Sequence, residues 1–359
     1  MQKVLIVKLS SMGDLVQALP AITDAIKARP GLMFDWLVDE SFSDIPAWHL
    51  SVDEVLSVPF RSWKAESRSA LLRGVLDWRR QLKTQRYDAV LDLQGNIKSA
   101  VFTRLAQGPR HGYDSASVRE RGAQLAYANC HKVDRDLHAV RRMRTLMSQS
   151  LQYALPEGPP DFGLAGKVWP QPPVSLPDRA FLVFVPNASW PNKAWLNESW
   201  RNLAKVAAES EFDVLLPWGS EAEHKQAQEI AAGLEHVQVL PRLSLTHVAS
   251  ILDMSAGAVC VDTGLAHISA ALGKPTVTLY GPTDPALVGA AGTCSAQVAA
   301  SGYGCIPCYR KLCKVDDYEG PVAQCLASIS VQGIWQVLQQ KMLESAEVSI
   351  KLKSVEKGN

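Results

Sequence analysis

Val4-Leu5-Ile6-Val7, then Ser10-Ser11-Met12-Gly13-Asp14, then Leu15, Leu19, Ile22 and Ile26 make up the stretch whose reading decides the fold. Four consecutive apolar residues suit a strand covered on both faces. The small polar residues that follow form a turn. The next apolar positions recur at helical spacing until Pro30-Gly31 stops them. Phe34 to Val38 reads as the next strand, so the first forty or so residues form a βαβ unit, the building block of a parallel sheet.

The same grammar continues along the chain. Ala89 to Leu93 reads as a strand, Gln94-Gly95-Asn96 as a turn and Ile97 to Leu105 as a helix. Pro156, Pro159, Pro160, Pro170, Pro172, Pro173 and Pro177 then interrupt both periodicities. After them the pattern restarts. Strands are expected at Phe181–Val185, Val214–Leu216, Val237–Leu240, Ala258–Val261 and Thr276–Tyr280, with helices between them and a last helix at about Val331–Leu343. The expected fold class is α/β, with two doubly wound Rossmann-like domains facing across a cleft. Residues 1–160 form the first domain, 161–180 a linker, 181–345 the second domain and 346–359 a frayed tail.

Composition narrows the function. The chain has 359 residues, 47% of them hydrophobic, which is enough for two cores. With 37 basic and 36 acidic residues the net charge is +1, which argues against a nucleic-acid partner. The apolar run before Lys8 is too short for a signal peptide, and no run approaches the ~18 apolar residues of a spanning helix. A cytoplasmic location is expected. The turn after the first strand also lacks the G-x-G-x-x-G of a dinucleotide-binding oxidoreductase.

Several strand-to-helix turns carry residues suited to chemistry. Val261-Asp262-Thr263-Gly264-Leu265-Ala266-His267 ends a strand and opens a helix, whose first amides lack internal partners and carry partial positive charge. Either a phosphate sits there, or Asp262 or Thr263 caps the helix. Asp14 is either a general base or the cap of the helix beginning at Leu15. Lys193 is a cation for an anionic ligand or a solvated loop residue. Glu223 is a ligand group or an ordinary first-turn acid, and His267 a ligand group or a core histidine.

These motifs resemble those of glycosyltransferase family 9, the heptosyltransferases. The stretch Val259–Gly289, with Tyr280-Gly281-Pro282-Thr283-Asp284-Pro285, is similar to the family signature, and Ser10–Asp14 to its N-terminal counterpart. Phe34-Asp35-Trp36, Leu93-Gln94-Gly95, His138-Ala139-Val140 and Leu216-Pro217-Trp218-Gly219 extend the likeness over nearly the whole chain. The resemblance implies a GT-B fold and an inverting enzyme of lipopolysaccharide inner-core synthesis. Such an enzyme moves L-glycero-D-manno-heptose from ADP-heptose to the first Kdo of Kdo2-lipid A, in peripheral contact with the cytoplasmic face of the inner membrane. A family member with another acceptor, lipopolysaccharide or protein, and a non-catalytic nucleotide-binding protein on this scaffold are the alternatives.

By the same resemblance Asp14 is the catalytic base. Ser189, Lys193, Glu223, Asp262, Thr263, Gly264 and His267 bind the donor. Ala188-Ser189 stands where the family often has paired threonines. No catalytic metal is implied. An acidic, phosphorylated acceptor points to Ser11, Gly13, Arg61, Lys64, Lys98 and Arg119 on the first domain, with Arg61 and Lys64 a thinner basic cluster than relatives carry. Cys305, Cys308, Cys313 and Cys325 follow a C-x2-C-x4-C-x11-C pattern in a chain without an export signal. That pattern suggests a structural zinc or iron held by four thiolates.

Overall fold

The apolar runs become parallel strands buried on both faces, and they assemble into two six-stranded sheets. A computed structural model describes residues 2–82, 85–314 and 322–356, except the side chains of 61, 64, 68, 71, 72, 81 and 348–356. The chain divides into two compact units, Met1–Lys167 and Val168–Asn359.

In the first unit the strands are β1 (Gln2–Val7), β2 (Leu32–Asp39), β3 (Val52–Val58), β4 (Ala89–Asp92), β5 (Arg110–Tyr113) and β6 (Asn129–His131), in the spatial order β3-β2-β1-β4-β5-β6. β1 lies between β2 and β4, with Val4 opposite both Phe34 and Ala89. Leu5, Val7, Leu37, Val90 and Phe102 pack together in its core. Since β2 and β4 flank β1, the chain leaves the ends of β1 and β4 in opposite directions. A crevice opens there, at the carboxyl edge of the sheet.

The second unit repeats this plan. Its strands are β7 (Phe181–Val185), β8 (Asp213–Leu216), β9 (Val237–Val239), β10 (Gly257–Val261), β11 (Thr276–Tyr280) and β12 (Ser295–Ala299), in the order β12-β11-β10-β7-β8-β9. Here the direction switches between β7 and β10, which pair with Val185 opposite Cys260. Phe184, Trp195 and Trp200 anchor the core on one side of the sheet, with Trp195 and Trp200 meeting edge to face at 5.1 Å.

The proline-rich stretch is held down rather than free. Arg144 pairs with Asp24 (Nε to Oδ2, 2.5 Å) and donates to the carbonyls of Pro156 and Gly158, while Lys27 binds Asp161 at 2.6 Å. Phe162 and Leu164 are buried, so residues 161–167 pack onto the first unit. Further on, Ser250 Oγ donates to the Pro170 carbonyl and Gln238 Nε2 to that of Ser175, which ties this part to the second unit. The last helix runs from Val331 to Glu356, beyond the expected end near Leu343 and through residues expected to fray. No helix among the described residues is long and apolar enough to cross a membrane.

Candidate functional site

At the β1/β4 switch point the short helix Met12–Val16 presents Asp14. Its Oδ2 accepts from the Ser11 amide at 3.1 Å and the Ser11 hydroxyl at 2.7 Å, so Asp14 does close a local cap. Its other oxygen lies 3.9 Å from Lys8 Nζ, and the side chain keeps 32% of its exposure. Lys8 is buried at the exit of β1 and donates to the Leu93 carbonyl at the exit of β4. Burial pushes the Asp14 carboxyl up, but Lys8, the two Ser11 bonds and Arg119 outweigh it and hold it below the usual carboxylate range. Burial conversely pushes the Lys8 ammonium down, against the pull of Asp14. The result is an ionised carboxylate, open to one side, with the buried Lys8 behind it.

The loop carrying Asp14 is braced from β4. Gln94 Oε1 accepts the amides of Leu9 at 2.7 Å and Ser10 at 3.3 Å. Asp92 in turn fixes the Gln94 turn, accepting from the amides of Gln94 and Gly95, the Ser99 hydroxyl and the Tyr127 hydroxyl. A buried carboxylate with four donors is the arrangement that burial demands.

Of the expected acceptor residues, Ser11 touches Asp14 directly. Gly13 is buried in the same helix. Lys98 Nζ reaches Ser10 Oγ at 3.3 Å and lies over the Phe60 ring at 4.8 Å. Arg119 is exposed and within electrostatic reach of Asp14. Arg61 and Lys64 belong to the helix Phe60–Glu66, but their side chains lie outside the described residues.

The second switch point brings together part of the expected donor set. Lys193, on the loop after β7, pairs with Asp262, at the end of β10, at 2.6 Å. Thr283 Oγ1 donates to the same Asp262 oxygen at 2.6 Å, and Lys193 Nζ also lies over the Trp190 ring at 4.9 Å. Asp262 is therefore engaged sideways and does not cap the helix Gly264–Ala271. Thr263 occupies the N-cap position with extended backbone and makes no side-chain cap bond. The first amides of this helix, at Gly264 and Leu265, remain without a side-chain cap beside a lysine ammonium, an arrangement suited to phosphate. His267 is buried in the first turn.

Ser189 is exposed on the loop after β7, where it lines a cavity of about 460 Å³ with Asn187, Trp190, Trp195 and Gln226. Glu223 is occupied locally. Its Oε2 accepts the amides of Gly219 at 2.7 Å and Ser220 at 3.1 Å, forming a capping box on the helix Glu221–Ala231.

The other three cysteines of the thiolate expectation lie within electrostatic reach of Cys325. Among the described residues no group of three or more His, Cys, Asp or Glu is gathered so as to hold an ion. Cys305 and Cys313 are exposed, and Cys308 is half-buried beside Asn192, whose Nδ2 is 3.7 Å from its sulfur. Cys325 is buried in the helix Gln324–Ala327 against Gly281. Burial first, then the neighbouring thiols, push the Cys325 thiol up.

Lys8, Gln94 and Thr283 were not singled out by sequence reasoning. Gln94 and Thr283 lie inside the motifs Leu93-Gln94-Gly95 and Tyr280-Gly281-Pro282-Thr283-Asp284-Pro285. Lys8 follows a strand, where a lysine ordinarily marks the return to solvent.

Comparison with known proteins identifies the family. The chain matches the family described as glycosyltransferase family 9 (heptosyltransferase) over residues 75–319. It is 44% identical over 315 residues to lipopolysaccharide heptosyltransferase 1 of Pseudomonas aeruginosa, covering 87% of each chain. The solved structure of E. coli heptosyltransferase WaaC with ADP matches at a TM-score of 0.81 and 37% identity, over 95% of this chain and 100% of that one. The structure of WaaC with ADP-2-deoxy-2-fluoro heptose matches at 0.79 and 36% identity, over 94% and 99%. The two sheets and their flanking helices are those of a two-domain α/β GT-B fold.

Proposed function

The chain belongs to glycosyltransferase family 9, the heptosyltransferases, and on that footing we propose that it transfers L-glycero-D-manno-heptose from ADP-heptose to the first Kdo of Kdo2-lipid A, with inversion. The observation that carries the mechanism is the ionised, partly open Asp14 carboxylate backed by Lys8.

In this reading Asp14 accepts the proton of the acceptor hydroxyl as that oxygen attacks the anomeric carbon. The bond from the anomeric carbon to the β-phosphate oxygen breaks, and ADP leaves with the electron pair. Attack on the face opposite the leaving group inverts the centre. Lys193 and the amides of Gly264 and Leu265 meet the charge that grows on ADP, the kind of preorganised stabilisation that lowers such barriers. Lys193 then exchanges Asp262 for phosphate, which frees Asp262 for heptose hydroxyls. Ser189 and His267 stand near as further donor contacts, and Glu223 offers its second carboxylate oxygen to the ribose. Ser11, Gly13, Lys98 and Arg119, with Arg61 and Lys64, address the acceptor's phosphates and Kdo carboxylates. An acceptor anchored in lipid implies peripheral contact with the inner membrane.

The test is transfer itself. Purified protein with ADP-heptose and Kdo2-lipid A gives a heptosylated product by mass spectrometry. Asp14→Asn lowers turnover by about 10²–10⁴-fold, the usual worth of a general base, while ADP-heptose binding by calorimetry persists. Wild-type turnover by Asp14→Asn would remove Asp14 from the role of base.

A further inference from the structure

Far from Asp14, at the opposite edge of the first sheet, β4 and β5 begin in a cavity of about 840 Å³ lined by Arg79, Arg86, Arg104 and Arg110. Its floor is built from backbone. Arg86 and Gln107 form a parallel bridge, the Tyr87 amide donates to the Gln107 carbonyl at 2.9 Å, and the Val90 amide to the Pro109 carbonyl at 2.8 Å. Gly108 completes it at φ +146°, where a Cβ would stand 2.4 Å from the Tyr87 carbonyl oxygen, so only glycine fits. The arginines come from four separate places on this frame. Arg79 and Arg104 sit in the last turns of the helices Arg68–Leu82 and Ile97–Leu105. Arg86 and Arg110 precede and open the paired strands, and Arg110 is oriented by its Nε bond to the Ala126 carbonyl at 2.9 Å.

Helix ends explain part of this. A cation in the last turn complements the helix dipole, at about 0.3–1 kcal/mol. That accounts for Arg79 and Arg104 singly. It does not account for four arginines around one cavity that, among the described residues, no carboxylate lines. Arg80, beside Arg79, shows the ordinary solution, an ion pair with Asp77 at 3.1 Å. Gathered like charges repel one another and create a potential that favours an anion. The planar donor fork of arginine matches phosphate oxygens two at a time.

We propose that the Arg79/Arg86/Arg104/Arg110 cavity is a second anion site of this protein, one that binds a phosphate ester or diphosphate and is separate from the donor site. The cavity is larger than a bare phosphate needs, so the ligand carries its phosphate on a further group, either a lipid headgroup or a soluble diphosphate.

The experiment uses the full chain saturated with ADP, which keeps added phosphate out of the nucleotide site. Pyrophosphate binding is measured by calorimetry. Co-sedimentation is measured with vesicles of phosphatidylcholine alone and of phosphatidylcholine with phosphatidylglycerol. The same measurements are made on Arg79→Glu/Arg104→Glu and on Lys205→Glu/Arg242→Glu, a pair of exposed second-unit residues with the same change in charge. Wild type binds pyrophosphate or the phosphatidylglycerol vesicles. The arginine double variant loses that binding at least tenfold, and the control keeps it. Binding to pyrophosphate alone identifies a soluble ligand, and binding to vesicles alone a headgroup. Heptosyl transfer to detergent-dispersed acceptor stays at the wild-type level in both variants, so a failure of the transferase reading is seen separately. The proposal is overturned if wild type binds neither probe, or if the arginine variant binds as wild type or loses no more than the control.

Discussion

Asp14, the proposed base, also has a structural part. It closes a cap with Ser11 through one oxygen and turns the other toward Lys8, and the same contacts keep it charged. Lys8→Met removes the first of the influences that lower its pKa, so the carboxyl rises. A base works only when deprotonated, so the acid limb of the kcat/KM profile moves to higher pH, and an unmoved limb would contradict the role of Lys8. The sign for stability follows from the same depressed pKa. The Asp14 contribution is complete above the unfolded value of 3.8 and is lost as pH falls through the lower folded value. Lys193 makes the complementary case. Its partner Asp262 is 7% exposed, so Lys193→Met strands a buried carboxylate at a cost of about 3–5 kcal/mol. Thermal unfolding is expected to show that loss, and calorimetry a weaker donor. Lys193→Met/Asp262→Asn is expected to regain most of the stability and none of the affinity. Recovery of donor binding in the double variant would show that Lys193 does not hold the phosphate.

At the scale of elements, two helix starts in the second unit can be compared directly. The helix Glu221–Ala231 has a full capping box, with Ser220 Oγ accepting from Glu223 and the Glu223 carboxylate accepting in return. The helix Gly264–Ala271 has no side-chain cap at Thr263. Ser220→Ala therefore costs about 0.5–2 kcal/mol, as a lost cap does, whereas Thr263→Ala leaves stability within about 0.5 kcal/mol. The effect of Thr263→Ala falls on ADP affinity instead. A large loss of stability in Thr263→Ala, with ADP binding intact, would mean that the helix end is an ordinary cap after all. Elements also differ in how readily they were read. β1, β4, β7 and β10 announce themselves as apolar runs. β5 (Arg-His-Gly-Tyr) and β6 (Asn-Cys-His) carry no such run, because they lie toward the sheet edge, where β5 is buried only at Gly112 and Tyr113 and β6 is largely exposed. The last helix outruns its own apolar periodicity, so its end past Leu343 had no sequence signal.

At the scale of the molecule, the switch points explain why residues distant in sequence become neighbours. Lys193 and Asp262 are 69 positions apart, yet they leave adjacent strands at the same edge. On the proposed function, nucleotide binding belongs to the second unit. With ADP at 100 times its Kd that unit gains about 2.7 kcal/mol. Hydrogen exchange is expected to slow first in the loops after β7 and β10. Protection confined to residues 2–167 would contradict the assignment of the donor half.

The alternation of apolar runs with helical spacing determined the α/β class, the doubling of the fold and the turns that carry Asp14, Lys193 and Asp262. Those features follow from local periodicity and from the special backbone needs of turns, both written in consecutive residues. Only tertiary structure decided the partners. Gln94 braces the Asp14 loop because β4 lies beside β1, and Thr283 reaches Asp262 because β11 lies beside β10. The same long-range pairing buried Cys325 in the core of the second unit, and it brought four arginines from unrelated segments around one cavity. Contact across strands depends on the order of the sheet, and that order is set by burial over the whole unit.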